Sequence, residues 1–173
     1  KSYAERLFRY VNVDRLPREM AERAWRVPAS TEGVDFEPGA LEELYRVTDG
    51  YPYFVQAYGK ATWDAALGSP ISAADVQEAV PEAEAELAVG FFGARFERAT
   101  PAERDYMTAV ADLGAESDDS AIATAAIARH LDLSPQSLSP ARDGLIKKGL
   151  VYAAERGSVA FTVPHFGKFL RSR

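Results

Sequence analysis

Arg142, Lys147, Lys148 and Arg156 are the side chains whose type and spacing could do chemistry, and that chemistry is non-covalent. Guanidinium and ammonium groups on a helix and in the turn after it can form charge-assisted hydrogen bonds to phosphate oxygens. Arg142 and Lys147 are the candidates for phosphate or base contact on duplex DNA, and Arg156 for backbone or minor-groove contact. Arg129 and His130 could join the same face, since DNA affinity follows local rather than net charge. The plain alternative for Lys147 and Lys148 is a solvated helix face. Covalent or acid–base chemistry has little to work with. The acid pairs Asp118/Asp119 and Glu42/Glu43 fall in a loop or on a helix surface without a convergent partner, and His130 and His165 sit at a helix end and beside a strand and a proline.

The elements that must position these cations can be read around them. Ser120 is placed to cap a helix whose apolar residues Ile122, Ala126, Ile127 and Leu131 recur at helical spacing, and Asp132 to Ser134 breaks it. Pro135 sits where the next helix could begin, but a start near Ser139, with Pro140 in its first turn, is expected because proline in a helix interior would kink it. Leu145 and Ile146 then face inward, Arg142, Lys147 and Lys148 outward, and Gly149 ends the helix. Leu150, Val151 and Tyr152 are expected to pair with Val159, Phe161 and Val163 across the turn Glu155 to Ser158, with Gly157 supplying the turn conformation. Thr100, Pro101 and Glu103 supply the cap, first-turn proline and third-position carboxylate of an earlier helix, Thr100 to Leu113. Three helices and a hairpin make a winged helix with a small β-hairpin wing.

Composition sets the limits. The chain has 173 residues, is 47% hydrophobic, and contains no cysteine and two histidines. It can bury one fair core or two small ones, and it offers neither disulfides nor a thiolate metal site, so no metal is expected. No run is long enough to span a bilayer and no signal peptide is evident, so a cytoplasmic protein without membrane contact is the expectation. The chain opens on Lys rather than Met, as a piece of a longer protein would. Arginine outnumbers lysine and alanine is abundant, a bias of GC-rich bacterial genomes. Charge is uneven: residues 1–100 carry eleven Lys or Arg against seventeen Asp or Glu, while residues 101–173 carry nine of each. The net charge of -6 therefore belongs to the first part.

That first part reads as helices with punctuation. Pro17 opens a helix with Met20, Ala24 and Trp25, ended by Pro28. Phe36 to Pro38 opens a second with Leu41, Leu44 and Val47, closed by Asp49 and Gly50. Pro52 opens a third through Phe54, Val55, Tyr58, Ala61, Thr62, Ala65 and Ala66, ended by Gly68 to Pro70. Ser72 caps a fourth with Asp75 in its first turn, and a fresh helix is expected after Pro81, from Glu82 to Arg98. Its stripe of Leu87, Phe91, Phe92 and Phe96 is expected to dock on the third helix. Phe8, Tyr10, Val11 and Val13 read as a strand whose sheet lies upstream of this chain.

The order KSYAERLFRYVNVDRLPREMAERA, then GVDFEPGALEELYRVTDGYPYFVQAYGKATWDAA, then a terminal winged helix, resembles the lid and C-terminal domain of AAA+ P-loop ATPases, closest in pattern to the origin-recognition-like ATPases. The resemblance covers nearly the whole chain, and Asp49 to Phe54 is its most specific piece. In such ATPases a GxP at the start of a lid helix approaches the nucleotide, which implies a nucleotide-proximal role for Gly50, Tyr51, Pro52 and Tyr53. Many members carry a phosphate-touching arginine where this chain has Tyr53, so base or ribose packing is implied rather than phosphate sensing. The same likeness implies that Phe8 to Val13 is the last strand of the core sheet. It also implies that Arg6 occupies the place of an arginine finger, whose fixed guanidinium would stabilise charge on transferring phosphate oxygens.

No GxxxxGK[ST] motif and no Walker-B-like run occurs. The expectation is therefore a mainly α, non-enzymatic fragment: a helical lid over residues 1–99, with 1–13 ending a missing ATPase core, and a winged helix over 100–173. It needs no cofactor itself, while its parent would bind ATP and Mg. Duplex DNA, the ATPase core, and a protein partner or further copies of the chain are the partners expected. A protein-interaction adaptor that never touches DNA is the alternative.

Overall fold

The computed structural model describes residues 15–115 and 120–173, so the strand expected over Phe8–Val13 and the arginine at position 6 lie outside the described residues. The chain divides into two compact units, one ending at Ala83 and the other beginning at Glu84.

In the first unit, α1 (Arg18–Thr31), α2 (Pro38–Thr48) and α3 (Pro52–Ala65) pack on one another, and α4 (Ala73–Glu86) follows. Proline at the first helical position opens α2 and α3, where a missing N–H costs nothing. Contrary to the sequence reading, α1 does not stop at Pro28. Trp25 and Ala29, one turn apart, are both buried on either side of that exposed proline. Burying the stripe outweighs the one hydrogen bond that proline removes. Met20 is 47% exposed, and Ala21 takes the core position beside it.

Leu41, Leu44, Phe54, Val55 and Tyr58 fill the space between α2 and α3, as their spacing predicts. A parallel bridge of Phe36 with Ile71 holds the loop before α2 to the loop before α4. Ser72 Oγ accepts the Asp75 N–H at 3.3 Å, the cap expected there, and Asp75 Oδ2 in turn accepts the Ser72 N–H at 2.7 Å. Helix α4 then runs unbroken through Pro81, where a fresh start was expected. Val76, Ala79 and Ala83 form one buried stripe while the ring of Pro81 stays in solvent.

The second unit begins with the end of α4, a π-helical segment (Leu87–Gly93) and α5 (Ala94–Glu97). The wider π turn lets the adjacent Phe91 and Phe92 both be buried, and Arg95 Nη1 donates to Phe91 O at 2.9 Å with its guanidinium 3.6 Å from the Phe91 ring centre. The rings of this stripe pack within their own unit. Phe92 stacks on Phe166 and Phe169 at 5.7 and 5.2 Å, and both belong to the terminal helix α9 (Phe166–Arg171). Phe96 is only half-buried.

Helix α6 (Pro101–Leu113) has the predicted Thr100 capping box and packs along α9. After it come β1 (Ile122–Ala123), α7 (Thr124–His130), α8 (Pro135–Lys147), β2 (Val151–Tyr152) and β3 (Ser158–Phe161). The sheet order is β1-β3-β2, antiparallel throughout, with Ile122 opposite Val159, and Val151 opposite Phe161. Helix, strand, helix, helix and hairpin is the winged-helix order, and the whole is mainly helical with a small sheet.

Two local expectations are corrected here. Ser120 caps no helix: Ile122 is drawn into the sheet as a third strand, and α7 starts only at Thr124. Helix α8 starts at Ser134, whose Oγ accepts the Ser137 N–H at 3.3 Å, and not at Ser139. Pro140 lies inside the helix because Leu138 and Leu145, 4% and 0% exposed, both need the helix around it to reach the core. Gly149 takes the left-handed conformation expected of it, with φ of 66°.

Candidate nucleic-acid face and lid turn

The C-terminal candidates arise from α8 and the hairpin. Leu138 and Leu145 anchor α8 inward, which leaves Gln136, Ser139, Asp143 and Lys147 exposed on its outer side. Arg142 is half-buried, with Nη1 3.6 Å from Asp143 Oδ1. The hydroxyl of Tyr106 lies in its field: burial pushes this phenol up, against the pull of the Thr124 hydroxyl and the Arg142 charge. Lys147 reaches into solvent. Lys148 turns the other way, and its Nζ donates to Glu103 Oε2 at 2.5 Å.

Glu103 is 5% exposed and also accepts the Thr100 N–H at 2.6 Å. Burial opposes its charge, yet Lys148 and the Thr100 N–H and hydroxyl together hold its carboxyl below the ordinary range. Lys148 is thus committed to an internal carboxylate, while Lys147 is displayed. Arg156 is exposed in the hairpin turn, and the Thr124 N–H donates to Gly157 O at 2.8 Å, so that turn is tied to the start of α7 rather than to the end of α8 that carries Lys147. Arg129 is exposed on the last turn of α7, and His130 Nε2 lies 3.5 Å from Asp112 Oδ2.

The lid turn is built by the junction of α2 and α3. Asp49 and Gly50 both take the left-handed conformation, with φ of 48° and 66°. Asp49 pairs with Arg15, and the Leu16 N–H donates to Gly50 O at 2.7 Å. A Cβ on Gly50 would stand 2.4 Å from Leu16 O, so glycine is required by the chain's own backbone. Gly50 is buried, Tyr51 and Pro52 are half-buried, and Tyr53 is 52% exposed. The Tyr51 ring rests 4.8 Å from that of Phe54. Of the four residues singled out, Tyr53 is therefore the outermost, and no cation stands among them.

Sequence reasoning missed two features. One is the Glu103–Lys148 pair; the capping box marked Glu103, but its second partner lies 45 residues away. The other is a groove of about 570 Å³ between α1 and α3, lined in part by Trp25, Trp63, Pro28 and Glu32. Among the described residues no three His, Asp or Glu side chains converge as metal ligands would, and no helix is long and apolar enough to cross a membrane.

A family model described as a domain of unknown function (DUF8462) matches residues 89–170. Among solved structures, the Thermotoga maritima RuvB Holliday junction branch migration motor is similar at 16% identity with a TM-score of 0.43, over 86% of this chain and 47% of that one. Two substituted forms of that motor match to the same degree. The chain spans about half the length of these RuvB chains, 47%. No curated protein matches the sequence.

Proposed function

We propose that this chain is the C-terminal lid and winged-helix region of an AAA+ type P-loop ATPase, in which the lid couples nucleotide state to a winged helix that contacts duplex DNA. The observation that carries the reading is the order α6-β1-α7-α8-β2-β3, which leaves the outer side of α8 and the turn carrying Arg156 uncovered by other described elements of its unit. Phosphate contact falls to Lys147 and Arg142 on α8 and, separately, to Arg156 in the hairpin turn, while Lys148 serves the fold. Arg6 remains assigned to the finger position by resemblance alone.

The parent would bind ATP and Mg in a core outside this chain. At the lid turn the residues present fit a nucleotide only through the tyrosine face of Tyr53, because position 53 holds no cation for phosphate and Gly50 is covered by Leu16. Hydrolysis is assigned to the missing core, and this region by itself is proposed to be catalytically inert and cytoplasmic. Further copies of the parent are the natural partners if Arg6 reaches a neighbour's nucleotide.

Fluorescence anisotropy of a labelled duplex across a salt series tests the DNA assignment. Saturable binding that weakens steeply with salt is expected, with a shallower slope in Lys147→Ala and in Arg156→Ala. Binding that ignores both changes would refute it. One observation favours the adaptor reading instead: with Lys148 withdrawn and Asp143 displayed, the outer side of α8 carries little net positive charge. No binding at low salt, by this region or by the full ATPase, would favour that reading.

A further inference from the structure

We infer that the groove between α1 and α3 is a docking site for a basic segment of a partner protein, holding an arginine or lysine side chain flanked by apolar residues. This assignment concerns the first unit only and stands whether or not the winged helix binds DNA.

The groove exists because of one close approach. Trp25 Nε1 donates to Val55 O at 2.8 Å, and a Cβ on Gly59 would lie 2.7 Å from Trp25 Cδ1, so the indole lies directly on the backbone of α3. Above that floor the two helices diverge into a groove of about 570 Å³, within the usual range of roughly 300–1,000 Å³ for specific binding sites. Its walls are Pro28 on α1 and Trp63 on α3, and Trp63 is 41% exposed although it is among the largest apolar side chains of the chain. Thr31, Glu32, Gln56 and Lys60 stand beside these apolar walls, the mixture of apolar and convergent polar groups that binding grooves carry.

Charge selects the occupant. Glu32 lines the groove at the C-terminal end of α1, where the helix dipole is negative and the last turn carries no basic residue to offset it. The cation that also lines it, Lys60, is paired with Asp64 at 3.0 Å. An indole face adds attraction for a cation, because the ring quadrupole is negative there. The surrounding field has the same sign, since residues 1–100 carry seventeen acids against eleven bases. A guanidinium or ammonium on an apolar stem fits Glu32, the helix end and the indole face, whereas a carboxylate would meet only Lys60, which Asp64 already pairs.

Both tryptophans of the chain line this groove, so its occupancy can be read by intrinsic fluorescence. The probe is a capped Leu-Ala-Arg-Leu-Ala peptide, titrated against the same peptide with glutamate in place of arginine. A saturable change with the arginine peptide is expected, at least about fivefold weaker with the glutamate peptide and about threefold weaker in Glu32→Gln. Trp63→Ala, with Trp25 left as the reporter, should lose most of the affinity, and a far-UV spectrum matching the parent chain shows that it folds. Equal response to the two peptides, no saturable response, or unchanged affinity in both variants would overturn the assignment.

Discussion

Lys148 Nζ lies 2.5 Å from Glu103 Oε2, joining the residue after α8 to the first turn of α6. Lys148 is 29% exposed at its side chain and Glu103 6%, so the carboxylate depends on its partner far more than the lysine does. The same carboxylate closes the Thr100 capping box, so Glu103 both caps α6 and holds the residue that follows α8.

The pH dependence of stability follows from this pair. The Glu103 carboxyl is held below its ordinary value of 4.5, so its contribution is fully present above that value and is lost as pH falls through the folded value. Lys148→Met should cost roughly 1–3 kcal/mol at neutral pH by leaving a buried carboxylate without its partner, and should flatten the acid limb of the stability curve. Urea midpoints measured from pH 7 down to pH 3 would check both. On the proposed DNA reading, the salt-dependent affinity of the folded variant should by contrast match that of the unsubstituted chain.

Gly50 and Gly33 both have positive φ, 66° and 72°, but only Gly50 lies against another backbone segment. Gly33→Ala should cost about 1 kcal/mol, the price of a left-handed alanine. Gly50→Ala carries that cost and also collides with Leu16 O, so its loss should be clearly larger. Equal losses by chemical denaturation would mean that the Leu16 contact does not constrain the lid turn.

Gly59→Ala should destabilise the first unit, because the new methyl would enter the Trp25 indole. In a Trp25→Leu background the same change should cost much less. A double-mutant cycle reads this coupling, and additive losses would place the strain elsewhere.

Phe92→Ala should cost about 3–5 kcal/mol by emptying the centre of the Phe166 and Phe169 stack. Phe96→Ala, at a half-buried ring, should cost markedly less. Comparable losses would restore the continuous stripe that helical spacing suggested.

Local rules made much of the molecule legible from the sequence. The Thr100-Pro101-Glu103 cap, the prolines opening α2 and α3, the left-handed Gly149 and Gly157, and the pairing of Val151 with Phe161 all follow from interactions within a few residues or across one turn. The candidate cations Lys147 and Arg156 are exposed, as a polar residue at such positions would be.

Whatever depended on a distant partner was decided by tertiary structure alone. Pro28, Pro81 and Pro140 read as helix breakers, yet each lies inside a helix, because the energy of burying the residues around it exceeds the single hydrogen bond it removes. Ile122 fits a helical spacing and a strand equally well until Val159 stands beside it. Lys148 looks identical to Lys147 in the sequence, and only the fold sets a buried carboxylate within its reach. The floor of the groove, Trp25 on α1, rests on Gly59 of α3. Spacing along a chain encodes which face a residue shares with its neighbours, but not what will be packed against that face.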